Sequence, residues 1–313
     1  MKSMRDGYGK ALLTLGETNP QVVVLSADLT ESTRAKPFAD RYPEKFVQMG
    51  VAEQNMMGVA AGLALSGKIP FVSSYAVFSP GRNWDQLRVS VCYQNANVKV
   101  SAGHTGLGIG PDGATHQALE DIAMVRSLPN LVVLAPADYV EAEKATIAAA
   151  KHQGAVYLRL TKFEQEAVTK ESDSFAIGKA TVMKKGTDVT IVTCGPMVGF
   201  ALEAAKDLAK EKLAVEVINC SSIKPLDVKT ILTSVQKTHC LVTAEDHQVM
   251  GGMGSAVVEA LATSYAAPMT EMVGMRDKFG ESGKPDQLYQ KYKMDKSAII
   301  EAVKKVISRK KRL

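Results

Sequence analysis

Short apolar runs rich in β-branched residues alternate along the chain with stretches whose apolar positions recur every three to four residues. The runs QVVVLSAD, KIPFVSSY, NVKVSAGH, LVVLAPAD and AVYLRLTK are bounded by polar or turn-forming residues and predict strands. Helical spacing between them predicts helices over Met4–Glu17, Glu53–Ser66, Arg82–Tyr93, His116–Arg126 and Tyr139–Lys151. The pattern breaks after Lys162 in the polar FEQEAVTKESDS. A second series follows: DVTIVTCG, a helix over Phe200–Lys212, VEVINC, a helix near Leu226–Val235, HCLVTAED, and the glycine-rich turn MGGMGS opening a helix over Ala256–Tyr265. Strands alternating with helices mean βαβ units, so the expected fold class is α/β: two α/β domains with mainly parallel sheets. With 313 residues the chain exceeds the size at which a single core stops growing, roughly 250–300 residues. The expected division is a first domain over 1–170, a linker over 171–185 and a second domain over 186–313.

One charged residue sits where the helical pattern asks for none. In MGVAEQNMMGVAAGLALSG, Glu53 shares its face with Met56, Met57, Ala60, Ala61 and Ala64. A helix-start carboxylate facing the N-terminal dipole is one reading. A buried carboxylate that needs a partner or a proton is the other. Periodicity alone leaves both open.

Composition narrows the function classes. Apolar residues make up 46% and charged residues 23%, ordinary for a soluble globular protein. No apolar run reaches the 18 or so residues of a membrane span, and the opening MKSMRDGYGK lacks an apolar signal core. A cytoplasmic protein with no membrane partner is expected. The net charge of +5 is partly concentrated in the final SRKKRL, read as a frayed basic end, and no basic face with aromatic or helix-turn-helix features points to nucleic acid. The four cysteines, Cys92, Cys194, Cys220 and Cys240, form no C-x-x-C pair and read as buried thiols.

Several strands end in residues able to do chemistry: Ser26–Asp28, Ser73–Tyr75, Ser101–His104 and Arg159–Lys162. In open α/β sheets ligands sit beyond these C-terminal strand ends. The loop SAGHTGLGIGPDGATHQALED places His104, Asp112 and His116 among glycines 103, 106, 108, 110 and 113, which permit tight turns and close approach to a ligand. A G-x-G-x-x-G pattern forced onto Gly108, Gly110 and Gly113 fails as a dinucleotide fingerprint, because Pro111 and Asp112 spoil the turn. The spacing of His104, Asp112 and His116 matches no recognised metal site. MGGMGSAVVEA reads as a tight strand-to-helix turn rather than an anion site, since no lysine adjoins it. Trp84, the only tryptophan, reads as a core or interface packing residue.

Taken together, LSADLTES, MGVAEQNMMG, SSYAVFSP, SAGHTGLGIGPDGATHQALEDIAMVRSLPNL, APAD and RDKFGESGKPDQLYQKY resemble the C-terminal half of transketolase, over about residues 5 to 295. The resemblance implies a pyrimidine-binding domain for thiamine diphosphate followed by the family's C-terminal domain. It implies that Glu53 holds the cofactor's aminopyrimidine at N1′, favouring the imino tautomer that deprotonates the thiazolium C2. Phe78 then matches the aromatic that stacks on the pyrimidine, Tyr75 lines the same pocket, and Asp28 lies near the thiazolium. Asp112 matches the carboxylate that recognises a sugar hydroxyl, and His116 the histidine over the reactive carbon; Glu53, His116 and Asp112 are the implied catalytic set. Arg5, Ser32, His104 and Lys162 fall at positions that grip the sugar phosphate. Two positions depart from the family pattern. Lys162 replaces an arginine, turning a bidentate grip into a point charge, and Gly81 stands where a tyrosine is usual.

No G-D-G motif for Mg²⁺ and diphosphate occurs, and a full-length member is about twice this length. The implied function is therefore the C-terminal subunit of a split, two-subunit transketolase of the pentose phosphate pathway. It would transfer a two-carbon ketol unit from a ketose phosphate to an aldose phosphate. An N-terminal partner subunit would supply Mg²⁺ and the diphosphate site, copies of this chain would contact each other, and a heterotetramer would result. Alternatives are a beta-type subunit of a 2-oxo acid dehydrogenase, a deoxyxylulose-phosphate-synthase-like half-enzyme, or a non-catalytic scaffold subunit. FGESGKPDQLYQKY and the sugar-binding set favour transketolase; Glu53, Phe78, Asp112 and both histidines speak against a scaffold.

Overall fold

The computed structural model describes residues 1–264 and 268–310. A seven-stranded sheet runs in the order Ser222–Lys224, Leu131–Leu134, Ala155–Leu160, Lys99–Gly103, Ile69–Tyr75, Val22–Ser26, Phe46–Gln48. All its pairings are parallel except that of Ser222–Lys224, which comes from the second half of the chain and joins the edge antiparallel. A five-stranded sheet runs Met269–Met275, Cys240–Gln248, Val189–Thr193, Val215–Asn219, Thr181–Lys184, with only the last strand antiparallel. The chain is thus α/β with mainly parallel sheets.

The strand runs carry little alternation because both faces of each sheet are covered. Within Val22–Ser26 the pleat sends Val22 and Val24 into a cluster with Met4, Tyr8, Leu12, Ala142, Ala145 and Ala149, while Leu25 packs with Met56, Met57 and Ala60 on the opposite face. Helices Met4–Thr18 and Tyr139–Lys151 therefore cover one face and Glu53–Leu65 the other. The helix Tyr139–Lys151 starts where Asp138 accepts from Glu141 N at 3.0 Å. The same carboxylate accepts from Val168 N and Thr169 N, both at 2.7 Å, and so ties the polar stretch after the last strand to the first sheet.

Several elements differ from the periodicity. The stretch 82–93 is a short helix, Trp84–Gln86, running on into the wider π-helical turns of Leu87–Tyr93. The helix expected from His116 begins only at Asp121. Residues before it are held in an extended path by Gly106 N donating to Ala118 O at 2.9 Å and by a parallel bridge between Thr105 and Ala118. The stretch 171–185 contains the strand Thr181–Lys184, so it is not wholly a connecting segment. The helix expected to end at Tyr265 spans Met253–Ser264, and Tyr265 lies outside the described residues. The basic end is not frayed through Lys310: the helix Lys296–Lys310 includes Arg309, whose Nη1 pairs with Glu271 at 2.6 Å, and Lys310, whose Nζ donates to Thr238 O at 2.9 Å. Residues 311–313 of that tail lie outside the described residues. All four cysteines are free and buried. Among the described residues no helix is long and apolar enough to cross a membrane.

Candidate functional site

The C-terminal ends of the first sheet's strands converge on one edge, as the parallel order requires. Glu53 opens the helix Glu53–Leu65 beside this edge and is only 2% exposed. Its carboxylate accepts from two groups outside its own helix: Ser74 Oγ at 3.3 Å, from the end of strand Ile69–Tyr75, and Arg82 Nη1 at 3.2 Å. Asn83 Nδ2 donates to the Glu53 carbonyl at 3.4 Å and holds the helix start against the same segment. Of the two sequence readings, the structure shows the buried, partnered carboxylate.

An aromatic group adjoins it. Tyr75 and Phe78 lie nearly parallel, 15° apart with ring centroids 6.0 Å apart. The imidazole of His104 stacks on Tyr75 at 3.7 Å, and His116 presents its edge to Tyr75 and Phe78 at 6.0 and 5.5 Å. The guanidinium of Arg82 lies 4.1 Å from the Phe78 ring centroid. Gly81 separates these residues because of a tight turn: a Cβ there would fall 1.9 Å from Val77 O, so no tyrosine fits this backbone.

His104 follows strand Lys99–Gly103 in the left-handed region, with φ at 59°. It is buried, and Arg5 Nη1 lies 3.4 Å from its Nε2. Burial, then the charges of Arg5 and Lys162, push its pKa down to about 2, so the ring is neutral. Arg5, in the first turn of Met4–Thr18, also donates to Ser32 O at 2.7 Å; Ser32 enters the cluster through its carbonyl, while its hydroxyl donates to Leu29 O. Arg5 and Lys162 line a cavity of about 290 Å³ with Gly108, Ile109 and Pro111. Lys162 Nζ lies 3.8 Å from Asp112, both side chains about a third exposed. His116 Nδ1 lies 2.8 Å from Thr115 Oγ1. Asp28 is exposed, also in the left-handed region with φ at 59°, and lines a separate recess with Leu29, Thr30, Glu31 and Ser32. Tyr75, Phe78, His104, His116, Arg5 and Ser32 thus form one cluster, and Glu53 joins it through Arg82. Lys162 and Asp112 sit beside them, and Asp28 stands apart.

Residues of the second domain hold this site from behind, and sequence reasoning missed them. Asp246, in strand Cys240–Gln248, accepts from Leu107 N at 3.0 Å and Tyr289 Oη at 2.8 Å. Gly106 packs so closely that a Cβ would fall 1.9 Å from Asp246 Oδ2. Arg159 donates to Asp121, to Ala118 O at 3.2 Å and to Asp246 O at 2.8 Å, crossing between the two halves. Burial opposes the Arg159 charge, but the carboxylates of Asp121 and Asp246 more than offset it and raise its pKa. Gln117 Nε2 donates to Glu281 O at 3.0 Å, and Gly113 and Gly110 pack on Ser282 and Pro285. The segment FGESGKPDQLYQKY is therefore the second domain's grip on the His104–His116 loop. The sequence signal for Asp246 was the pair of acidic residues closing an apolar strand in VTAED. In MGGMGS, the helix N-terminus is satisfied internally by the buried Glu245 carboxylate, which accepts from Met253 N at 2.6 Å and Gly254 N at 2.9 Å. Burial lifts the Glu245 pKa to about 7. That turn is structural. Among the described residues no group of three or more His, Cys, Asp or Glu is placed to hold a metal ion.

The family model described as transketolase, pyrimidine binding domain, matches residues 1–166, and that described as transketolase, C-terminal domain, matches residues 178–299. The chain is 41% identical over 304 residues to a putative transketolase C-terminal section from Methanocaldococcus jannaschii, covering 96% of this chain and 95% of that protein. It is 39% identical over 307 residues to a 6-deoxy-6-sulfo-D-fructose transketolase subunit from a Clostridium species, covering 98% and 95%. Among solved structures it is similar to a split gene transketolase, an inactive beta4 tetramer, with 45% identity, a TM-score of 0.92, and coverage of 98% and 99%.

Proposed function

The chain belongs to the transketolase family, as the C-terminal half of a split transketolase, and on that premise we propose that it carries the pyrimidine side of a thiamine-diphosphate site completed by an N-terminal subunit. The assembled enzyme transfers a two-carbon ketol unit from a ketose phosphate to an aldose phosphate. The observation that carries this reading is the buried Glu53 carboxylate, linked to the face of Phe78 through the Arg82 guanidinium.

These residues fit an aminopyrimidine. A flat, nitrogen-bearing cation, the Arg82 guanidinium, already meets Phe78 by its face and Glu53 through an N–H. Thiamine diphosphate, when bound, supplies the electron sink for breaking the sugar C2–C3 bond. Glu53 holds a proton at the ring nitrogen, a task that its burial suits by keeping water from competing. Phe78 supplies the stacking plane and Tyr75 backs it, while His116 and the neutral His104 border the space in front. Arg5 and Lys162 draw the sugar phosphate into their shared cavity, and Asp112 accepts from a sugar hydroxyl. Lys162 acts as a point charge, so phosphate orientation rests more on Arg5. Asp28 borders the thiazolium side, and Ser32 orients Arg5.

The diphosphate and Mg²⁺ are assigned to the partner subunit, because this sequence has no G-D-G motif. The inactive beta4 tetramer of the split-gene relative supports the reading that this chain alone is inactive. Copies of this chain pair through the exposed C-terminal end of helix Glu53–Leu65, where Leu65 is 64% exposed.

A coupled assay with xylulose 5-phosphate, ribose 5-phosphate, thiamine diphosphate and Mg²⁺ tests the reading, run with this chain alone and with its N-terminal partner. Turnover only in the mixture is the expected result. Turnover by this chain alone would remove the partner requirement. Inactivity of both would sink the proposed reaction and make pyruvate the next substrate.

A further inference from the structure

We propose that Arg82 gates the cofactor seat: its guanidinium competes with the aminopyrimidine ring for Glu53 and Phe78, and must swing out before the ring can settle. The inference rests on the proposed thiamine-diphosphate site. Glu53 has one oxygen taken by Ser74 Oγ, at 3.3 Å to Oε1. The other, Oε2, has Arg82 Nη1 as its partner, 3.2 Å away. The same guanidinium lies 4.1 Å from the Phe78 centroid. A planar group donating an N–H to Glu53 while stacking on Phe78 uses the contacts an aminopyrimidine needs, in the same two ways. Both cannot use them together.

The difference in burial shows which partner moves. Glu53 is 2% exposed, whereas the Arg82 side chain is 51% exposed and lines an open recess with Val51, Ala52, Gln54 and Asn55. Swinging the guanidinium into water costs little, because a half-exposed ion pair and an exposed cation–π contact are individually weak. Glu53, fixed at the start of its helix and held by Ser74 Oγ, has no such freedom, so the incoming ring must replace Arg82 as the carboxylate's partner when the guanidinium leaves. Arg82 therefore keeps the carboxylate partnered and the seat formed, and yields it to a better-fitting planar group. The competition weakens cofactor binding.

The test is calorimetric titration of thiamine diphosphate, with Mg²⁺, into the assembly of this chain with its N-terminal subunit, for wild type, Arg82→Ala and Arg82→Lys. Arg82→Ala should bind about tenfold more tightly, a difference of about 1.4 kcal/mol. Arg82→Lys, which keeps the charge but lacks the flat stacking plane, should fall between the two. Size-exclusion elution of each variant assembly checks that the fold and pairing persist. Unchanged affinity in Arg82→Ala would make Arg82 a surface charge of no consequence to the seat. Weaker affinity would make it a ligand of the bound cofactor. Either overturns the gate while leaving the cofactor reading intact. Absence of saturable binding in both wild type and Arg82→Ala would instead remove the cofactor reading, and the gate with it.

Discussion

Glu53 shows how one side chain's meaning depends on its neighbours. As the first residue of a helix it has the position of a dipole-facing acid, yet its two oxygens turn to Ser74 and Arg82. Glu53→Gln keeps the shape and the acceptor toward Ser74 but removes the charge that the proposed site uses to hold a proton at the ring nitrogen. Turnover of the reconstituted enzyme should fall by about 10²–10⁴, the usual range for a positioned acid–base group, with assembly unchanged. A loss under threefold, measured as kcat at saturating cofactor, would leave Glu53 a structural acid. The position of Glu53 on an apolar face was legible in the sequence, because a charge at helical offsets from Met56, Met57 and Ala60 is conspicuous. Arg82 was not legible, because an arginine beyond a strand looks like any surface charge until a ring and a carboxylate are seen beside it.

The elements divide by whether their neighbours are local. Strand runs such as LVVL and AVYLRL were legible because they are buried on both faces and bounded by turn residues. The helix expected from His116 starts late because Gly106 and Thr105, over ten residues earlier, hold the backbone at Ala118. The edge strand Met269–Met275 carries the mixed pattern MTEMVGM and pairs with Cys240–Gln248, so nothing local marks it. The loop from His104 to His116 owes its path to Asp246 and Tyr289, more than a hundred residues away in sequence. Asp246→Asn replaces one acceptor with a donor facing Leu107 N or Tyr289 Oη, and a buried hydrogen bond to a charged group contributes about 1.5–3 kcal/mol. The variant assembly should show KM for both sugar phosphates raised several-fold, with a smaller change in kcat and a lower melting midpoint. Steady-state kinetics beside a thermal melt would check this, and a lowered midpoint with unchanged KM would confine Asp246 to stability.

At the scale of the molecule, the two sheets are locked through Arg159, which reaches Asp121 and Ala118 in one half and Asp246 in the other. The first domain leaves Val51, Leu65 and Tyr93 exposed, at 70, 64 and 85%. Leu65→Lys should shift self-association toward smaller species at fixed concentration, read by sedimentation velocity. An unchanged distribution would take Leu65 out of the contact between copies. The α/β class, the order of strands along the chain, and a gathering of His, Asp and Arg side chains at the strand ends all followed from the sequence, because periodicity and strand-end composition are local properties. The tertiary structure alone decided that Glu53 is partnered by Ser74 and Arg82, that the second domain grips the glycine-rich loop, and that Ser222–Lys224 completes the first sheet. Each of those depends on residues far apart in the chain meeting in a buried place, where a hydrogen bond or charge must find its partner or forfeit its solvation.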